Sequence, residues 1–356
     1  MKILFLVLLT FFSVKSFAEA WDGHSNPRIL SKDFSVKFDE TLLEGKIADP
    51  RIAWPGNHWS NWLGGVAYRW SSSNPQNFTY KLNTLESLKS FEPHQIDELS
   101  PAEKFDIYRG DYHYSTTRTE LSRVSPRESK WHGICHGYAP AAINHPEPQT
   151  VILTNPDGLD VKFYSSDVAA LLSLYYAEFA NTSVQFVGRR CKSSRGVRIW
   201  NRGSCETINA GALHVALNNT LGLRGESLIL DIDPGFEVWN FVATAFSSRF
   251  LSSDEAKRTS APGTVRRILV ETTVTYAADI APKFNPVVFT EDAYYIHRLY
   301  EYYLELDEDD NIIGGEWVSK NGPDFMWLQD KAEFKGKWQI LNEIYRPIPM
   351  PSEASF

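Results

Sequence analysis

The last third of the chain alternates apolar and polar residues in a way that only a β-sheet can use. Residues 267–276 (RILVETTVTY) are β-branched and partly two-periodic, and the runs 300–306 and 312–318 flank the acidic turn DEDDN as hairpin arms would. Residues 227–232 (SLILDI) add an apolar run that reads as a buried strand. Helical signals lie upstream. Ser100-Pro101-Ala102-Glu103 places a cap, a first-turn proline and a glutamate that can reach back, so it predicts a helix over 101–109. A second helix is expected from Ser165 or Ser166, with Asp167 in its first turn and Val168, Leu171, Leu172, Tyr175 and Phe179 at helical spacing. Between these helices, 151–153 and 161–164 read as strands around the turn Asn155-Pro156-Asp157-Gly158. Residues 21–95, rich in Trp, Pro, Asn and Ser, read as an irregular wrapping segment. The expected class is α+β, with 96–350 as one catalytic unit that includes the C-terminal β region and 21–95 as an N-terminal extension.

Composition narrows the partners. The 356 residues carry 36 Lys and Arg against 44 Asp and Glu, a formal charge of -8, with no dense basic run. Nucleic acid is therefore not an expected partner. Met1 and Lys2 precede an apolar run over 3–14, and Ala18-Glu19-Ala20 has the small-x-small form cut by signal peptidase, so 1–20 reads as a bacterial-looking leader cleaved near Ala20. The run is too short to span a bilayer, and no later stretch reaches the length a span requires. The expected product is secreted or periplasmic, without membrane insertion. Export also bears on the three cysteines. Cys191 and Cys205 bracket a polar, glycine-containing loop, and a disulfide between them would stabilise by roughly 3 kcal/mol on the loop-entropy model. Cys135 is left over.

The segment around Cys135 reads WHGICHGYAPAAI, with two glycines that allow close approach of the backbone to a ligand and a small-residue run that can open a helix. A cysteine at a helix start feels the dipole and unpaired N–H groups, which favour the thiolate and can hold an oxyanion. Pro140 is acceptable only within the first turn of such a helix. The alternative is a small buried hydrophobe, the usual fate of a free cysteine. A thiolate needs a base and an orienting group, and His214 followed by Asp231 gives the chain order Cys, His, Asp of papain-like enzymes. His214 could equally be a satisfied core histidine, and Asp231 and Asp233 turn residues before Pro234-Gly235.

WHGICHGYAPAA, SPAEKFDIY, FYSSDVAALLSLYY and above all GALHVALNNTLGLRGESLILDIDPGFEVWN resemble the secreted transglutaminase elicitors of plant-pathogenic oomycetes and their marine-bacterial relatives. The resemblance runs over about 95–250, with GGEW and PDFMW also similar. It implies a papain-like catalytic core and calcium-dependent protein cross-linking. On that basis Cys135 attacks a glutamine γ-carboxamide, His214 shuttles the proton and Asp231 orients the imidazole, with Asp233 as a second candidate carboxylate. A lysine amine of a protein acceptor takes the acyl group. Trp131, Trp239 and Asn240 are then candidates for the substrate cleft. Phe241 and Val242 depart from the Gln and Pro with which the family continues.

Calcium, the cofactor implied by the resemblance, has no evident EF-hand here; Asp307-Glu308-Asp309-Asp310-Asn311 is the densest set of oxygen ligands, and a solvated hairpin turn is its alternative. A zinc set from His132, Cys135, His136 and His145 matches no common structural spacing. Two other functional classes share the same residues: a secreted papain-like cysteine peptidase, and a non-catalytic cell-envelope binding protein.

Overall fold

The computed structural model describes residues 21–74, 78–190, 207–233 and 235–351. The leader expected over 1–20 and the expected Cys191–Cys205 bridge lie outside these residues. Eight helices and ten strands are described. The helices are α1 (Leu85–Lys89), α2 (Pro93–Asp97), α3 (Pro101–Tyr108), α4 (Ser115–Arg123), α5 (Cys135–Asn144), α6 (Ser165–Glu178), α7 (Ala210–Leu217) and α8 (Leu341–Ile344). The strands are β1 (Glu44–Lys46), β2 (Val151–Thr154), β3 (Asp160–Phe163), β4 (Val184–Gly188), β5 (Leu228–Asp231), β6 (Asn240–Glu255), β7 (Arg266–Ala277), β8 (Tyr295–Leu306), β9 (Ile312–Trp317) and β10 (Phe325–Gln329).

Local signals account for most of these boundaries. At α3, Ser100 Oγ accepts from the Glu103 N–H at 3.2 Å while the Ser100 N–H donates to Glu103 Oε2 at 3.1 Å, the reciprocal box expected from the sequence. At α6, Asp167 Oδ2 accepts from the Tyr164 N–H at 2.9 Å and closes the first turn. The β2–β3 hairpin turns through Asn155, whose Oδ1 accepts from the N–H groups of Asp157 and Leu159.

The main sheet is antiparallel in the order β4-β10-β5-β6-β7-β8-β9, and β1 adds to β6 from the N-terminal segment. Because side chains alternate along a strand, each strand serves two cores. Leu228, Leu230, Ala243, Tyr276, Tyr302 and Met326 pack against α7 on one face. Ile229, Val242, Ala277, Phe325 and Trp327 pack on the other face with Tyr138, Ala139 and Ala142 of α5 and with Trp54. A third core, built from α1 to α4, α6, β3 and Trp338, lies beyond α5. α5 is therefore enclosed by the sheet and by α6, and this burial carries it through Pro140, which stands well past the first turn. Tertiary packing has overridden the local penalty for a mid-helix proline.

Candidate active site

Cys135 is the first residue of α5, and its side of the sheet is set by strand parity. Asn240 shares the face of Val242, so the start of β6 is delivered to the thiol. Asn240 Nδ2 donates to Cys135 Sγ at 3.4 Å, and the thiol donates to the Val238 carbonyl at 3.4 Å. The amide is oriented by Trp327, whose Nε1–H donates to Asn240 Oδ1 at 2.8 Å; an indole nitrogen can only donate, so Nδ2 must face the sulfur.

The two glycines around Cys135 serve packing within the chain rather than a ligand. A Cβ on Gly133 would stand 2.3 Å from the His58 carbonyl, and one on Gly137 2.1 Å from the Ser173 carbonyl of α6. The thiol itself is 6% exposed, and burial pushes its pKa up, more than the hydrogen bonds from Asn240 and the His136 N–H bring it down. Burial thus works against the thiolate that a helix start would favour. Iodoacetamide should alkylate Cys135 more slowly than a free cysteine at neutral pH, with the rate climbing as pH rises past the ordinary thiol range. Mass spectrometry of the Cys135 peptide over a pH series measures this, and a fast, pH-independent reaction would contradict it.

The imidazole beside this thiol comes from the N-terminal segment. Residues 53–61 run along α5 and the loop before it: Ala53 N–H donates to Ala142 O and Ile134 N–H to His58 O, both at 2.7 Å, and Asn61 N–H donates to His132 O at 2.7 Å. Asn57 Oδ1 accepts from the Trp59 N–H at 2.7 Å, and Trp59 is held in the left-handed region at φ 51°, an uncommon conformation for a bulky residue. His58, Cys135, Tyr138, Trp239, Asn240, Phe241, Ala277 and Asp279 enclose one small cavity of about 10 Å³, room for at most a water molecule.

His58 Nδ1 meets Asp279 Oδ2 at 2.9 Å, and Asp279 Oδ1 accepts from the His58 N–H at 2.8 Å. Nε2 lies 3.0 Å from the Lys130 carbonyl. Burial works to lower the His58 pKa and is the largest single influence, but the hydrogen bond and charge of Asp279 together with the Lys130 carbonyl outweigh it, leaving a net rise. Asp279 follows the end of β7, the neighbour of β6. Cys135, His58, Asp279 and Asn240 therefore converge at one end of the sheet.

His214 does not join them. It lies on α7, on the opposite face of the sheet from α5, fully buried, with Nδ1 2.8 Å from the Tyr302 hydroxyl, which continues to Thr272 Oγ1 at 2.7 Å. Its Nε2 has no partner, and burial lowers its pKa to about 4. The sequence reading of His214 as proton shuttle is corrected by this placement: a β-sheet separates it from the thiol. A buried neutral histidine should make the fold acid-sensitive. The folded pKa lies below the unfolded value of about 6.5, so its contribution holds above pH 6.5 and is lost as pH falls toward 4, by roughly 2–3 kcal/mol. Chemical denaturation of the unmodified protein and of His214→Phe between pH 7 and 4 tests this, the variant being expected to show the shallower decline.

Asp231 lies on the Cys135 side but orients no imidazole. Its Oδ1 accepts from the Trp239 N–H at 2.9 Å and the Asp233 N–H at 3.3 Å, so it shapes the β5–β6 loop; burial raises its pKa to about 6. Asp233 lines an open cleft next to the thiol cavity. Trp239 belongs to both cavities, with its ring 5.3 Å from that of His58. Trp131 instead touches Phe236 at the tip of the β5–β6 loop, with centroids 6.4 Å apart.

The residues of both candidate metal sets have partners within the chain. In the acidic turn, Asp307 is used by the N–H groups of Asp309 and Asn311 and by Asn311 Nδ2, and Asp310 pairs with Arg266. His132 pairs with Glu128 at 2.8 Å and His145 with Tyr176 at 3.1 Å, away from Cys135. Among the described residues, no three His, Cys, Asp or Glu side chains are placed to hold one ion.

A family model described as transglutaminase elicitor matches residues 125–335, which include Cys135, Asn240 and Asp279. The chain belongs to the transglutaminase elicitor family. His58 lies outside the matched stretch. The crystal structure of the GP42 transglutaminase from Phytophthora sojae superposes with a TM-score of 0.64 at 19% identity, covering 87% of this chain and 93% of that one. That similarity supports a common fold, a mixed helical and antiparallel β architecture. No curated protein sequence matches. Within the family stretch, no described helix is long and apolar enough to cross a membrane, nor is any elsewhere among the described residues.

Proposed function

We propose that this protein is an exported protein-glutamine γ-glutamyltransferase with a papain-like arrangement, a nucleophile at a helix start facing groups from two neighbouring strand ends. The observation that carries the reading is the cavity shared by the Cys135 thiol and the His58 imidazole, with Asp279 bonded to that imidazole. Family membership supports the substrate class.

In the described conformation the thiol proton is directed to Val238 O, and His58 Nε2 to Lys130 O. Reaction requires both bonds to be exchanged for one between Sγ and the imidazole. Once Nε2 has left Lys130 O and given its proton to solvent, with Nδ1–H kept on Asp279, Cys135 attacks the glutamine carboxamide carbon and His58 Nε2 takes the thiol proton. Asn240 Nδ2 and the N–H groups at the start of α5 face the developing negative charge. Collapse breaks the C–N bond, ammonia leaves with the proton from His58, and a thioester remains on Cys135. A lysine amine attacks the thioester, His58 removes its proton, and that proton returns to the sulfur as the isopeptide bond forms. Asp279 fixes the ring and stabilises the imidazolium.

The test is incorporation of a labelled primary amine into a glutamine-rich protein, with and without the calcium that the family resemblance implies. Incorporation by the unmodified enzyme and its loss in Cys135→Ala are expected. Peptide fragments without incorporation would overturn the reading in favour of a peptidase.

A further inference from the structure

The thiol cavity opens toward a larger cleft of about 330 Å³, lined by Ile232, Asp233, Trp239, Phe241, Asp279 and Arg298. Trp239, Phe241 and Asp279 belong to both, so the two cavities adjoin at this end of the sheet. The cleft lining carries both signs of charge, Asp233 and Asp279 beside Arg298. Asp233 stands just past β5, its Oδ1 held by the Gly235 N–H at 2.7 Å, while Oδ2 has no hydrogen bond to a described residue. Arg298 is on β8, three strands away in the sheet order, and has no hydrogen-bond or ion-pair partner among the described residues. The rings of Trp239 and Phe241 line the same cleft, with centroids 6.4 Å apart.

A carboxylate beside two aromatic rings is chemistry for an alkylammonium: the rings cover the methylene stem and the carboxylate holds the cation. A guanidinium in the same cleft would repel a lone cation and donate to a carboxylate in bidentate fashion. We propose that this cleft is the acceptor subsite and that Asp233 and Arg298 together select a lysine with an acidic residue beside it. The proposal rests on the acyl-transfer reading of Cys135. The glutamine donor must then approach by another side, since the acceptor attacks while the donor is still attached as thioester.

The experiment uses the full mature chain with a glutamine-rich donor protein and four acceptors near pH 7.5. Cadaverine carries a cation, hydroxylamine is largely neutral, and a pair of lysyl peptides differs only in an adjacent Asp or Asn. Asp233→Asn, which keeps the oxygen that Gly235 uses, should raise the ratio of the cadaverine KM to the hydroxylamine KM by about 5–20-fold, the scale of one charge-assisted contact. Arg298→Gln should abolish the preference for the Asp-containing peptide and lower the KM for cadaverine. An unchanged ratio in Asp233→Asn, or a peptide preference that survives Arg298→Gln, would overturn the proposal. Ammonia release with hydroxamate formation in the unmodified enzyme confirms acyl transfer separately, so failure of the subsite is distinguishable from failure of the chemistry.

Discussion

His58→Gln should lower amine incorporation by about 10²–10⁴-fold, whereas His214→Phe should leave it within a few-fold of the unmodified enzyme. Both histidines are described, but only His58 shares a cavity with Cys135 and is held by a carboxylate. A glutamine retains hydrogen-bonding capacity toward Asp279 and cannot carry the proton, so the loss should appear in kcat with the fold intact. Circular dichroism and a thermal melt on each variant separate chemistry from stability. Asp279→Asn should fall between the two, because the ring would keep a partner but lose the charge that raises its pKa. The reverse pattern, His214→Phe inactive and His58→Gln active, would return the proton shuttle to α7.

The second large effect concerns stability. Lys104 of α3 and Asp167 of α6 are completely buried, with Nζ 2.6 Å from Oδ2. Asp167 also accepts from the Trp70 indole at 2.8 Å and the Tyr164 N–H at 2.9 Å, and Lys104 Nζ lies 4.6 Å from the Tyr164 ring centre. One carboxylate thus ties two helices and the N-terminal segment together. Lys104→Met should destabilise the protein by about 3–5 kcal/mol, because it strands a buried charge rather than merely removing an attraction. Adding Asp167→Asn to that variant should recover part of the loss, since the neutral amide no longer requires the cation. Urea denaturation of the single and double variants measures the difference, and equal destabilisation by both would show that the lost packing of the lysine stem dominates.

The helices and strands were legible because their signals are local. The Ser100–Glu103 box, the turn at Asn155 and the alternation over 267–276 each concern residues within a few positions of one another, and the structure has α3, β2–β3 and β7 there. Cys135 at a helix start was legible for the same reason. Its neighbours along the chain were read less well: Gly133 and Gly137 admit the His58 strand of chain and α6, and neither approach is encoded within the motif. Asn240 and Trp239 line the cavity beside Cys135, and the hydrogen bond from Trp327 to the Asn240 amide joins positions 87 residues apart.

The sequence by itself determined a cysteine at the start of a small-residue helix, an antiparallel sheet beside it, and the chemistry that such a thiol can do. Tertiary structure decided which histidine shares a cavity with it. His214 and Cys135 both lie on helices packed against the same sheet, and whether two such helices meet depends on the face each one covers. That choice follows from how the connections cross the sheet and from the parity of every strand between them, a global property that no spacing records. His58, about eighty residues upstream of the thiol, reaches it because the segment over 53–61 binds along α5 through backbone groups, which any sequence possesses and none advertises. Burial, decided at the same level, works against the thiolate at Cys135.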